Sequence, residues 1–146
     1  MTTGLEVFDS TVQQTNLWLK DIMDRLETDD RHLAYQVLRA TLHAIRDRIG
    51  PENAVHFGAQ LPMLLRGLYY EGWHMAGTPT KTHHLAEFLD EIEDEARRQL
   101  SPDRERLVKA VFAVIADRID PGEVRKLIKI FPERLRSLWY SAPWLE

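Results

Sequence analysis

The chain repeats itself. Residues 36–70 align without a gap on residues 106–140 at a constant offset of 70, with 11 identities in 35 positions. Ala40, Ile45, Asp47, Arg48, Ile49, Pro51, Pro62, Leu65, Arg66, Leu68 and Tyr70 face Ala110, Ile115, Asp117, Arg118, Ile119, Pro121, Pro132, Leu135, Arg136, Leu138 and Tyr140. Upstream, Trp18, Leu19 and Ile22 face Phe88, Leu89 and Ile92. A duplication in register is a strong constraint, because whatever one half folds into, the other must fold into as well. Two copies are too few for a solenoid, in which at least three units stack. The expectation is an all-α chain: one helical domain over residues 1–146, with about eight helices in two pseudo-equivalent four-helix repeats. Repeat one covers about 9–72, a linker about 73–81, and repeat two about 82–144.

Periodicity says why the units are helical. Phe8, Val12, Leu19, Ile22, Met23 and Leu26 recur at helical spacing, behind a cap at Asp9 or Ser10. Asp29 or Asp30 opens a second helix. Its apolar residues Leu33, Val37, Leu38, Leu42, Ile45 and Ile49 cover more than half the circumference, which marks a central helix buried on several sides. Pro51 and Pro121 suit the first position of short helices, where a missing N–H leaves no bond unmade. Thr82, Ser101-Pro102 and Asp120 repeat the start signals in the second half, and Pro132 begins a last helix ending near Tyr140. Strand signals are nearly absent.

The stretch LRATLHAIRDRIGPENAVHFGAQLPMLLRGLYYEGW, Leu38 to Trp73, resembles the signature of a bacterial family, domain of unknown function DUF2267. The resemblance extends over about Asp30 to Trp144. The second half departs from the pattern, with Phe131-Pro132-Glu133 in place of Leu61-Pro62-Met63. The resemblance implies an all-helical protein and carries no activity or catalytic residue with it.

Composition removes several classes of function. With no cysteine, the chain has no disulfide framework, thiol nucleophile or thiolate-ligated metal. A formal net charge of −4 disfavours a whole-domain nucleic-acid binder. The longest apolar run, Ala110 to Ala116, is far short of the roughly 20 residues a spanning helix needs. The start MTTGLEVFDS lacks the pattern of a secretory leader, so a cytoplasmic chain is expected, with no membrane association. No GxSxG, Walker or GxGxxG pattern occurs, and no cofactor is implied.

The duplication also sorts the polar residues. One active site seldom needs the same polar residue twice, so those kept in both halves are expected to hold the halves together. Arg48 and Arg118, Arg66 and Arg136, and Tyr70 and Tyr140 fall in this structural group. The two arginines near helix ends, Arg48 and Arg118, are expected to be at least half buried and bonded within their own half. Residues that differ between the halves are the better binding candidates. His43 and His56 stand opposite Ala113 and Lys126, although His43 falls on the polar side of its helix with Gln36 and Arg39 and reads as a surface residue.

Three clusters remain. His83, His84 and Glu87 hold the densest set of metal ligands, but without an HExxH spacing or a specified third ligand. They support the alternative of a metal-assisted hydrolase, against the commoner reading of a solvated helix start. The acidic run Glu87 to Glu95 reads as a solvated face. Arg125, Lys126, Lys129, Arg134 and Arg136 form a basic stripe beside Trp139 and Trp144. This suits a protein partner or a second copy, meeting the acidic run, better than nucleic acid. The expected function is a non-catalytic protein-interaction or small-ligand-binding module.

Overall fold

A computed structural model describes residues 2–81 and 84–140. The described residues are helical and turn, with no strand. The α-helices are α1 Glu6–Leu26, α2 Arg31–Arg46, α3 Pro51–Gly58, α4 Met63–Tyr70, α5 Leu85–Ala96, α6 Arg104–Arg118 and α7 Pro121–Ile130. Two 3-10 segments follow α4 and α7, Met75–Gly77 and Glu133–Trp139. No described helix is long and apolar enough to cross a membrane.

α2 and α6 form the centre. Ala34, Val37, Leu38, Leu42 and Ile45 of α2 are buried, as are Val108, Val111, Phe112, Val114 and Ile115 of α6. α1 packs on both central helices, and α5 packs on both as well. One continuous apolar cluster runs from Trp18 to Trp139. At about 1.5–3 kcal/mol per large buried apolar side chain, this core is the main source of stability. Around α6, Phe88, Phe112, Phe131 and Trp139 pack mostly edge-to-face, with centroids 4.5–6.3 Å apart. Beside α4, Phe57, Tyr69, Tyr70 and Trp73 make a second aromatic chain.

Helix starts follow the sequence signals in some places and depart in others. Asp30 accepts a hydrogen bond from the Leu33 N–H at 2.9 Å, and Asp120 accepts from the N–H groups of Gly122 and Glu123. α1 begins at Glu6, ahead of the expected Asp9 or Ser10 cap. Asp9 instead accepts from the N–H and hydroxyl of Thr3 and ties down the chain before the helix. α6 begins at Arg104, past Ser101-Pro102. The free N–H groups before it, on Leu100 and Ser101, are taken by the Glu93 carboxylate of α5. The expected Thr82 cap lies outside the described residues. Gly50 precedes α3 at φ 85°, a conformation that suits glycine, whereas Asp120 precedes α7 at φ −59° and supplies a side-chain cap. α1 and α5 both end on a left-handed residue, Glu27 at φ 53° and Arg97 at φ 55°, and these positions are 70 apart. The segment after Pro132 is a 3-10 helix, in contrast to the α-helix that follows Pro62.

Candidate functional site

α3 and α7 are short helices that each bury one face. Ala54, Phe57 and Gly58 of α3 turn inward, as do Val124 and Leu127 of α7. Their outer faces border a cleft of about 300 Å³, lined by Asn53, His56, Phe57, Gln60, Glu123, Lys126, Leu127, Lys129 and Ile130. Eight of these nine form pairs separated by 70 residues: 53 with 123, 56 with 126, 57 with 127, and 60 with 130. Phe57 and Leu127 keep the floor apolar from both sides, while Asn53/Glu123, His56/Lys126 and Gln60/Ile130 differ in character. Ile130 remains 41% exposed, so part of the apolar lining faces solvent.

The rim is charged. His56 Nε2 lies 2.7 Å from Glu123 Oε2 and joins α3 to α7. The hydrogen bond from His56 is the main reason the Glu123 carboxyl sits below the usual carboxylate range. Partial burial opposes it, and Lys126, 3.5 Å away, reinforces it. Lys129 is exposed and pairs with no carboxylate among the described residues. The fold therefore brings together His56, Lys126 and Lys129 from opposite halves of the chain. Arg125, also exposed, lies outside this lining.

A second polar centre lies between α2 and α5. His43 is 4% exposed, in contrast to the surface position its helical wheel suggests. Its Nδ1 lies 2.7 Å from Glu95 Oε1, and its Nε2 lies 2.6 Å from the Leu68 carbonyl oxygen. Arg39 donates to Glu95 at 3.1 Å. Burial pushes the Glu95 carboxyl upward, and the His43 hydrogen bond with the charges of His43, Arg39 and Arg46 outweighs it, leaving the group below its usual range. Arg46, which the sequence reading passed over, is buried and donates to the carbonyls of Tyr69 and Glu71 at 2.8 and 3.0 Å. Two signals pointed here: α2 reads as buried on several sides, so its few polar positions must also be covered, and His43 and Arg46 face Ala113 and Ala116 across the duplication.

The acidic run is a source of ties. Glu91 pairs with Arg48, Glu95 with His43 and Arg39, and Asp90 and Glu93 with Arg104. The basic stripe meets α5 in a different way, with Arg134 donating to His84 Nδ1 at 2.9 Å. His84 and Glu87 are exposed, and His83 lies outside the described residues. No group of three or more metal-ligating side chains is assembled among the described residues.

The repeated residues take the following places. Arg48 is buried, stacks over the Phe88 ring at 4.8 Å and donates to Glu91. Arg118 lies shallower, its side chain 32% exposed, which still meets the expected half burial, and it reaches Asp21 at 3.3 Å. Each guanidinium reaches a carboxylate of the opposite half, and Arg48 also donates to the Ala44 carbonyl of its own half at 3.4 Å. Asp21 and Glu91 are themselves 70 apart. Arg66 donates to the Gly58 and Leu61 carbonyls, and Arg136 to the Phe131 and Lys129 carbonyls. Tyr70 is partly buried with its hydroxyl near the Val55 carbonyl, whereas Tyr140 is 48% exposed. Trp139 is 1% exposed and belongs to the core, which removes it from the surface stripe. Trp144 lies outside the described residues.

Fold and site together describe an all-helical protein with an apolar cleft between two short helices. The chain belongs to the family described as Uncharacterized conserved protein (DUF2267), whose profile matches residues 15–138. No curated protein matches it.

Proposed function

We propose that the chain is a non-catalytic binding module made from a duplicated four-helix unit, and that the cleft between α3 and α7 takes a small molecule with an apolar body. The observation that carries this reading is the composition of the cleft: an apolar floor from Phe57, Leu127 and Ile130 under a polar rim from Asn53, His56, Gln60, Glu123, Lys126 and Lys129. Its volume of about 300 Å³ is at the lower end of the roughly 300–1,000 Å³ of ligand pockets. The duplicated character is supported by matched contacts: Arg48 to Glu91 and Arg118 to Asp21, and Arg66 to the Leu61 carbonyl and Arg136 to the Phe131 carbonyl. A cleft between corresponding helices of two joined units, with a rim that differs on its two sides, can hold an asymmetric ligand in one orientation.

The neutral probe N-phenyl-1-naphthylamine tests the reading. Its fluorescence should rise on mixing with the protein, and Ile130→Glu should abolish the rise while leaving the melting temperature unchanged. No rise, or an equal rise with the variant, would remove the cleft as the site.

A further inference from the structure

We infer that the α3–α7 cleft selects small amphipathic carboxylates, with Lys129 as the group that receives the anionic head. This inference rests on the cleft being a ligand site and adds the chemistry of its ligand. Three observations carry it. First, among the lining residues Glu123 is the single carboxylate, and it is already engaged by His56 at 2.7 Å and Lys126 at 3.5 Å. Its charge is therefore already offset by a neighbouring cation on this rim, which weakens its pull on a cationic ligand. Second, Lys129 stands on the same rim, exposed and without a carboxylate partner among the described residues. Third, Lys129 sits one residue from the half-exposed Ile130, at the open edge of the apolar floor made with Phe57 and Leu127. Charge and apolar surface therefore lie at neighbouring points, as an alkyl carboxylate requires.

The type of cation narrows the class further. The lining has no arginine fork, which would favour phosphate through paired hydrogen bonds. A lysine is a single point charge on a flexible stem and suits a monoanion. The small volume selects a short chain. Each methylene added while room remains should tighten binding about three- to fourfold, from about 0.8 kcal/mol per buried CH₂.

The test uses the whole chain at pH 7 and compares octanoate, 1-octanol and octylammonium by calorimetric titration at low salt. Octanoate should bind about fivefold more tightly than 1-octanol, the scale of an exposed charge contact. Octylammonium should bind most weakly. Lys129→Gln should bring octanoate down to the level of the alcohol without changing alcohol binding, and 0.5 M salt should narrow the difference in the wild type. Ile130→Glu should weaken both. Equal binding of octanoate and octanol, or a preference for octylammonium, would overturn the carboxylate inference while the ligand cleft stands. A preference for octanoate that survives Lys129→Gln would overturn the role of Lys129. If no member of the series binds and the neutral probe also fails, the cleft reading falls with it.

Discussion

Two seams run beside the central helices, and they solve the same packing problem differently. Between α2 and α5, Arg48 lies flat over Phe88 with its side chain withdrawn from solvent, and His43 bridges Glu95 to the Leu68 carbonyl. Between α1 and α6, Arg118 stays partly exposed beside Asp21, Arg25 pairs with Asp117, and Ala113 stands seventy residues on from His43. The arginines pair with carboxylates of matching position, yet one is buried and the other is not. The comparison teaches that a side chain's partner can be shared between related positions while its depth is set by the neighbours. Buried polar groups cost far more to disturb than exposed ones.

The largest effect should come from the buried histidine. His43→Leu removes the ring donor that the Glu95 carboxylate shares with Arg39 and the side-chain donor of the Leu68 carbonyl, and should lower stability by about 2–4 kcal/mol in urea unfolding. Ala113→Ser, at the corresponding place in the other seam, should cost about 1 kcal/mol or less. Equal costs would break the contrast between the seams.

The arginines sharpen it. Arg48→Ala removes a packed stem and the contact over Phe88, and should cost about 2 kcal/mol. Arg118→Ala, at a partly exposed pair, should stay within about 1 kcal/mol. Arg48→Met keeps the stem and sheds the desolvated charge, so it should recover much of the loss. If Arg48→Met is as damaging as Arg48→Ala, the charge and not the packing holds that seam.

Acid should weaken the polar seam next. The folded Glu95 carboxyl lies below its usual range, so its contribution is complete above the unfolded value of about 4.3 and is lost as pH falls through the lower folded value. The wild type should therefore lose stability below about pH 4.3 more steeply than Glu95→Gln, which starts lower at neutral pH and varies less. Parallel curves from pH 7 to pH 2 would show that Glu95 does not couple to folding.

The smallest effect is where the seams agree. Glu27 and Arg97 both end their helices at positive φ. Glycine adopts that conformation without the strain of a side chain, so Glu27→Gly and Arg97→Gly should each raise stability by about 0.5–1 kcal/mol. The Thr28 N–H bond to the Met23 carbonyl completes the first of these caps. A gain at one position and a loss at the other would show that the two ends differ despite their matching backbone.

Helix identity was readable because it depends on neighbours in the chain. The apolar spacing in α2 and α6, the caps at Asp30 and Asp120, and the prolines at 51 and 121 all act within a few residues. The starts that differ are set by side chains beyond the capping positions themselves: Glu93 at the end of α5 takes the Leu100 and Ser101 N–H groups, and Asp9 takes that of Thr3. The acidic run keeps its solvated face, with the paired Asp90, Glu91 and Glu95 side chains 63%, 45% and 42% exposed, and only the fold shows which arginines it meets.

The cleft was legible only in its ingredients. His56, Lys126 and Lys129 stood out as differences between the halves, but their meeting across α3 and α7 required the assembled fold. By itself the sequence determined that this chain is helical, that it carries a duplication, and which positions vary between the copies, because periodicity, caps and internal identity are properties of the chain read along its length. The tertiary structure decided which of the matched arginines is buried, that His43 and Trp139 leave the surface, and that the diverged residues of two short helices face one another over an apolar floor. Burial and side-chain pairing depend on distances between segments remote in sequence, and only packing sets those distances.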